Sequence, residues 1–265
     1  MNHRTLQLLQ VGNLTAAIFT IIVNSLANIL PIAGKNTGEL SDNIPNLFVP
    51  AGITFAIWGI IYILIIVFVI YLAKDLFKKE KETKPFLEKI SFFFILASLA
   101  NIIWIFLWHY EQVVLSILAM ILLFVSLLMI YLRLNIGLEK VSLKEKICIH
   151  APISVYLGWI TVATIANVTA VLVKIKWDGF GISPVVWTML VLVVATIITI
   201  LMLLTRKDCQ YSAVIIWALL GIYIKRATTN PVENQIIYTV LVSMVIILAI
   251  VGFTMFKKIR LKTKN

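Results

Sequence analysis

Eight apolar stretches punctuate the chain, at roughly 9–31, 50–73, 89–109, 112–133, 148–173, 184–205, 209–224 and 235–256, and none has Asp, Glu, Lys, Arg or His in its middle. A helix needs about 20 such residues to cross the hydrocarbon core of a bilayer. A backbone there must satisfy its own polar groups, which for one continuous segment means an α-helix. The pattern therefore predicts an all-α, polytopic membrane helix bundle with eight transmembrane helices. Only 13% of residues are charged and mean hydropathy is +1.02, where soluble domains carry about 25% charged residues. The shortest stretch, 209–224, has interfacial aromatics at Tyr211, Trp217 and Tyr223 and is bracketed by Arg206, Lys207, Lys225 and Arg226.

Orientation follows from the basic residues. With eight crossings, Lys35, Lys174, Lys176, Lys225 and Arg226 fall on one side and the remaining 18 of the 23 Lys and Arg on the other, including Lys74 to Lys89, Arg133 to Lys146 and Lys257 to Lys264. The positive-inside rule then places both termini in the cytoplasm of a multi-pass cell-membrane protein. If 209–224 failed to cross, the basic tail would face outward, against that rule. The net charge of +11 resides in short segments between apolar runs, so no nucleic-acid partner is expected. The lysines of the inner loops suit anionic lipid. Cys148 and Cys209 fall on the cytoplasmic side, where a disulfide is not expected. His3, His109 and His150 have no ligand spacing with Cys, Asp or Glu, so neither a metal nor a cofactor is expected. No small-residue cleavage site follows the first stretch, which reads as a retained anchor.

The lack of charge at mid-membrane argues against ion-coupled transporters, which keep a coupling carboxylate, His or Lys there. It also argues against an enzyme, since no base accompanies any buried Ser or Thr. Aromatic and amide residues remain, and they form stripes. Tyr156, Trp159, Ala163, Asn167 and Ala170 share one helical face in the fifth stretch. Ser91, Phe94, Ser98, Asn101, Trp104 and Trp108 do so in the third, and Ala51, Phe55, Trp58 and Tyr62 in the second. In the first, Asn13, Ala17, Thr20, Asn24, Asn28 and Pro31 form an inward face, because amides facing lipid stay unpaired. Taken singly, each amide reads as interhelical glue and each Trp as part of an interfacial belt. Taken together, Asn28, Trp58, Asn101, Trp104, Asn167 and Trp187 reach one depth below the outer surface, which suits a pocket for a flat apolar ligand. The loop 32–49 is long enough to serve as its lid. The link His109 to Gln112 predicts an antiparallel hairpin, with His109 and Glu111 in a solvated turn. Pro50, Pro152 and Pro184 read as helix-start signals.

Three motifs resemble those of the tryptophan-rich sensory protein and peripheral benzodiazepine receptor family (TspO/MBR): Trp58-x3-Tyr62 preceded by Phe48 and Pro50, Asn101-x2-Trp104, and Trp159-x3-Ala163-Thr164-x2-Asn167. Their order matches that family's second, third and fifth helices. The resemblance implies a five-helix bundle over 1–175 that senses or binds porphyrin-like ligands under its first loop. The candidate ligand-binding residues are Asn28, Trp58, Tyr62, Asn101, Trp104, Trp159, Ala163 and Asn167. The chain departs from the family in having no tryptophan in the loop 32–49, and in three additional helices with a basic tail over 176–265. The expected partners are a hydrophobic small molecule and the lipid bilayer, and a homodimer is compatible with the sequence. The rival reading is an uncoupled permease for a small lipophilic solute; a third is a subunit whose amide faces only pack helices.

Overall fold

The computed structural model describes residues 3–30, 32–78 and 85–262. Pro31 of the first stripe and the basic residues Lys79, Lys81, Lys84 and Lys264 lie outside them. The described chain folds into α1 (His3–Ile29), α2 (Thr37–Asp42), α3 (Ile57–Ala73), α4 (Pro85–Ile90), α5 (Phe93–His109), α6 (Val113–Arg133), α7 (Leu143–Glu145), α8 (Ala151–Lys174), α9 (Pro184–Arg206), α10 (Cys209–Thr228) and α11 (Asn234–Lys262). Among the described residues, six helical segments are long and apolar enough to span a membrane: Arg4–Ile29, Gly52–Ala73, Val113–Arg133, Leu143–Lys174, Pro184–Arg206 and Asn234–Lys257. The protein is thus an all-α, multi-pass membrane helix bundle. Helix α5 is apolar but has only 17 residues, and α10 is not among the six. Helix α10 packs on α8, α9, α11 and the turn Gly52–Ala56. A helix so enclosed is shielded from lipid and need not be apolar all round.

Helices α5 and α6 form the expected hairpin, α6 packs on α8, and α1 packs on α5 and α3. The stripe on α1 does face inward at Asn13, Ala17, Thr20 and Asn24, all buried, whereas Asn28 at the helix end is exposed. Both ends of the bundle are tied. At the end carrying the termini, Gln10 Nε2 donates to Leu72 O at 2.8 Å and to Asp75 Oδ1 at 2.7 Å. Lys89 pairs with Glu139 at 2.6 Å, and this hydrogen bond holds the exposed Glu139 carboxyl below its ordinary value. Asp208, buried in the α9–α10 turn, accepts from Tyr131 Oη at 2.8 Å and Ser154 Oγ at 2.7 Å. At the opposite end, which carries the first loop, Lys225 pairs with Asp42 at 2.7 Å and Lys35 with Glu111 at 3.2 Å.

Several local expectations change. Pro152 does lie in the first turn of α8, but the helical path starts before it. The helix begins at Leu143, where Ser142 Oγ accepts from Glu145 N at 3.1 Å. It widens into a π turn at Lys146–His150 just before the proline, which lacks the N–H that an α turn would use. Pro50 precedes a 3-10 turn at Gly52–Ala56, so α3 proper starts at Ile57. The third stretch breaks at Ser91, where φ is +52°, and this separates α4 from α5 and removes Ser91 from the stripe. His109 is buried, not solvated, with Nδ1 2.8 Å from Ile105 O. Pro184 does open α9, capped by Ser183.

Candidate functional site

The first loop is built as a lid. Asn36 and Glu39 form a reciprocal capping box that starts α2. Leu40, Phe48 and Val49 are buried beneath it. Asn46 Nδ2 donates to Thr169 Oγ1 of α8 at 2.6 Å while its Oδ1 accepts from Phe48 N at 3.0 Å. Trp108 Nε1 lies 3.4 Å from Thr37 O, a long hydrogen bond linking α5 to the lid.

Below this lid the three aromatic stripes meet. Trp58 stacks on Tyr62 with centroids 5.6 Å apart and meets Tyr156 at 6.0 Å and Trp159 at 6.3 Å, both edge-on. Phe55 meets Trp159 edge-on at 5.8 Å. Trp104 stacks on Trp108 at 5.5 Å. These are the offset and T-shaped arrangements that aromatic quadrupoles favour. The rings enclose a cavity of about 40 Å³ lined by, among others, Thr37, Phe55, Trp58, Trp104, Trp159 and Asn167. A neighbouring pocket of about 270 Å³ lies between α1 and α3, and shares Thr37, Phe55 and Trp58 with it.

Of the eight candidate residues, Trp58, Trp104, Trp159, Ala163 and Asn167 line the cavity, and Asn28 and Tyr62 join Trp58 in the neighbouring pocket. Asn101 lines neither. It is buried, and its Oδ1 accepts from Asn24 Nδ2 at 2.6 Å. Asn167 Oδ1 accepts from Trp104 Nε1 at 3.0 Å, and its Nδ2 donates to Ser116 Oγ at 3.0 Å. These two amides hold the walls in position through existing bonds. Trp187 does not join the group. Its Nε1 donates to Gly179 O at 2.9 Å, and its ring packs 5.2 Å from that of Trp177.

Three polar atoms on the walls have no hydrogen-bond partner among the described residues: Trp159 Nε1, Thr37 Oγ1 and Tyr62 Oη. Buried donors without partners are uncommon and costly. Tyr156, whose ring meets Trp58 edge-on, lines neither compartment. Thr37 is not legible as a wall in the sequence, because nothing in a short loop segment signals that it folds into α2 over the aromatic rings. Phe55 and Trp108 were visible as stripe members, but not as walls. Among the described residues no group of three or more His, Cys, Asp or Glu could hold a metal.

Residues 10–253 match the family described as TSPO-like protein. The chain belongs to that family. The match continues past residue 175 through α9, α10 and most of α11, beyond the five stretches that carry the resemblance. No curated protein and no solved structure matches the chain significantly. Proteins of the TspO/MBR family are receptors and not enzymes, and the chain is a membrane protein related to them, which is consistent with a binding or sensory role.

Proposed function

We propose that the protein is a receptor that binds a planar, hydrophobic, acceptor-bearing small molecule of tetrapyrrole type in the aromatic cage. In this reading eight helices cross the cell membrane with both termini cytoplasmic, and a five-helix unit, 1–175, is completed by three further helices, 176–265. Support for the α10 crossing comes from its two ends: its N-terminus is tied at Asp208 near one end of the bundle, and Lys225 pairs with Asp42 near the other. The 18-to-5 division of basic residues supports the orientation.

The observation that carries the ligand proposal is the set of unpartnered donors, Trp159 Nε1, Thr37 Oγ1 and Tyr62 Oη, among stacked aromatic walls. A flat ligand with acceptor atoms would satisfy them and stack on the rings. Drug-sized ligands occupy pockets of about 300–1,000 Å³, so the cage must open. Phe55 and Thr37 separate its two compartments and belong to the first loop and the turn behind it. Binding is favoured over transport by the packing deeper along the helices that line the cage, where Phe68 meets Phe94 with ring centroids 4.8 Å apart and Ile153, Leu123 and Leu127 are buried.

The test is quenching of tryptophan emission by protoporphyrin IX in purified protein. Saturable quenching is expected. Trp159→Phe, which removes the unpartnered indole N–H, should weaken affinity about fivefold, the equivalent of one hydrogen bond of about 1 kcal/mol. Trp104→Ala should weaken it further. Trp187→Phe, remote from the cage, should leave affinity unchanged. Parental affinity in folded Trp159→Phe and Trp104→Ala proteins would refute the cage as the binding site.

A further inference from the structure

We propose that the loop end of the bundle carries an anion-recognition subsite next to the aromatic cage, so that the protein's ligand is an amphiphile with a flat apolar body and a carboxylate or phosphate group. This rests on the cage reading above and narrows its ligand class. The subsite is a pocket of about 540 Å³ whose rim holds Lys35, Lys174 and Lys176 and whose floor includes Leu40, Trp108 and Val173.

Trp108 connects the two compartments. It lines both this pocket and the cage cavity, and its ring stacks on Trp104, which is bonded to Asn167. A rigid aromatic body lying along these rings would carry a substituent toward the lysines. Glu111 is the acidic residue in this lining, and it is taken by Lys35 at 3.2 Å. Among the described residues no carboxylate pairs with Lys174 or Lys176, and both side chains are exposed at the rim. Their location is informative in itself. Basic residues are disfavoured on the non-cytoplasmic side of a membrane protein, yet three of the five assigned there surround this one pocket. Of the other two, Lys225 is committed to Asp42. Lysines at this end do not help to orient the chain, whereas a point charge on a flexible stem suits an anionic group whose position is set by the apolar body.

The experiment compares 1-pyrenebutyrate with the uncharged 1-pyrenebutanol, two probes that share one flat apolar body. The readout is the saturable component of tryptophan-to-pyrene energy transfer, with the full chain in phosphatidylcholine nanodiscs. The acid should bind about tenfold more tightly than the alcohol, because two exposed lysine ammonium groups face its carboxylate. That preference should shrink as salt is raised. In the Lys174→Gln/Lys176→Gln double variant the preference should disappear while alcohol binding stays as in the parent. Equal affinities for the two probes, unaltered in the double variant, overturn the subsite and leave the cage standing. No saturable transfer from either probe removes the cage and the subsite with it. Repetition in nanodiscs containing phosphatidylglycerol separates the sources of the anion. Loss of the lysine-dependent preference there assigns the subsite to a lipid headgroup, and its retention assigns it to an acid from the aqueous side.

Discussion

Replacing Asp208 by alanine should destabilise the folded bundle by about 3 kcal/mol, the largest loss expected of any single polar substitution in the chain. Its carboxylate is buried and fully used. Oδ1 accepts from the backbone N–H groups of Gln210 and Tyr211 at 3.1 and 3.0 Å, which caps α10. Oδ2 accepts from Tyr131 Oη of α6 and Ser154 Oγ of α8. An N-cap is worth about 1 kcal/mol, and each stranded buried hydroxyl adds about 1 kcal/mol. The guanidinium of Arg206 lies 5.2 Å above the Tyr131 ring, so the local charge is also left less balanced. Asp208→Asn keeps an acceptor for the cap and should recover about half the loss, and Ser154→Ala should cost about 1 kcal/mol. Unfolding of the purified protein in mixed micelles, followed by circular dichroism, measures all three. An Asp208→Ala protein within 1 kcal/mol of the parent would mean that the α6, α8 and α10 junction is held by apolar packing alone.

This junction also marks the limit of what could be read from residues in order. The helices themselves were legible, because long uncharged runs have one stable form in a bilayer. The stripes were legible too, since Trp58, Trp104, Trp159 and Asn167 share faces at helical spacing, and the structure gathers them round one cavity. Asp208 stands next to Arg206 and Lys207, and nothing in its position along the sequence distinguishes it from an ordinary loop charge. Its burial depends on Tyr131 and Ser154, which are 77 and 54 residues away in the chain. The division of labour between amides was likewise hidden. Spacing places Asn101 and Asn167 on inward faces, but only three-dimensional proximity determines that Asn24 and Trp104 occupy their acceptor oxygens. Trp187 shows the opposite failure. A similar depth along its helix said nothing about azimuth, and its indole is bonded to Gly179 instead.

Gly221→Val should abolish most ligand binding without unfolding the bundle, because α10 supports the cage from outside. At Gly221 the helix approaches the chain segment before α3 so closely that a Cβ would overlap the Thr54 side chain and press on Pro50. The same contact carries two hydrogen bonds, Ala51 N to Gly221 O at 2.9 Å and Trp217 Nε1 to Thr54 O at 2.9 Å. Pro50 and Phe55, which flank this contact, line the cavity. A side chain at 221 would raise intrinsic helix stability by a few tenths of a kcal/mol up to about 1 kcal/mol, since glycine is a poor helix former. Overpacking typically costs about 1–3 kcal/mol, and the softest response is displacement of the 50–56 segment, whose shift moves Phe55 against Trp159. Affinity for protoporphyrin IX should therefore fall at least about tenfold, with Gly221→Ala intermediate. The melting temperature should fall less than in Asp208→Ala, whose substitution loosens α10 at its other end. Lys225→Ala separates the two contributions of α10. It breaks only the partly exposed ion pair to Asp42 on the lid, a pair of about 0.2–1 kcal/mol, and should speed ligand association more than it changes affinity. If folded Gly221→Val bound porphyrin as the parent does, the cage would be independent of the C-terminal helices. A selective loss would establish α10 as the element through which that half of the chain acts on the pocket.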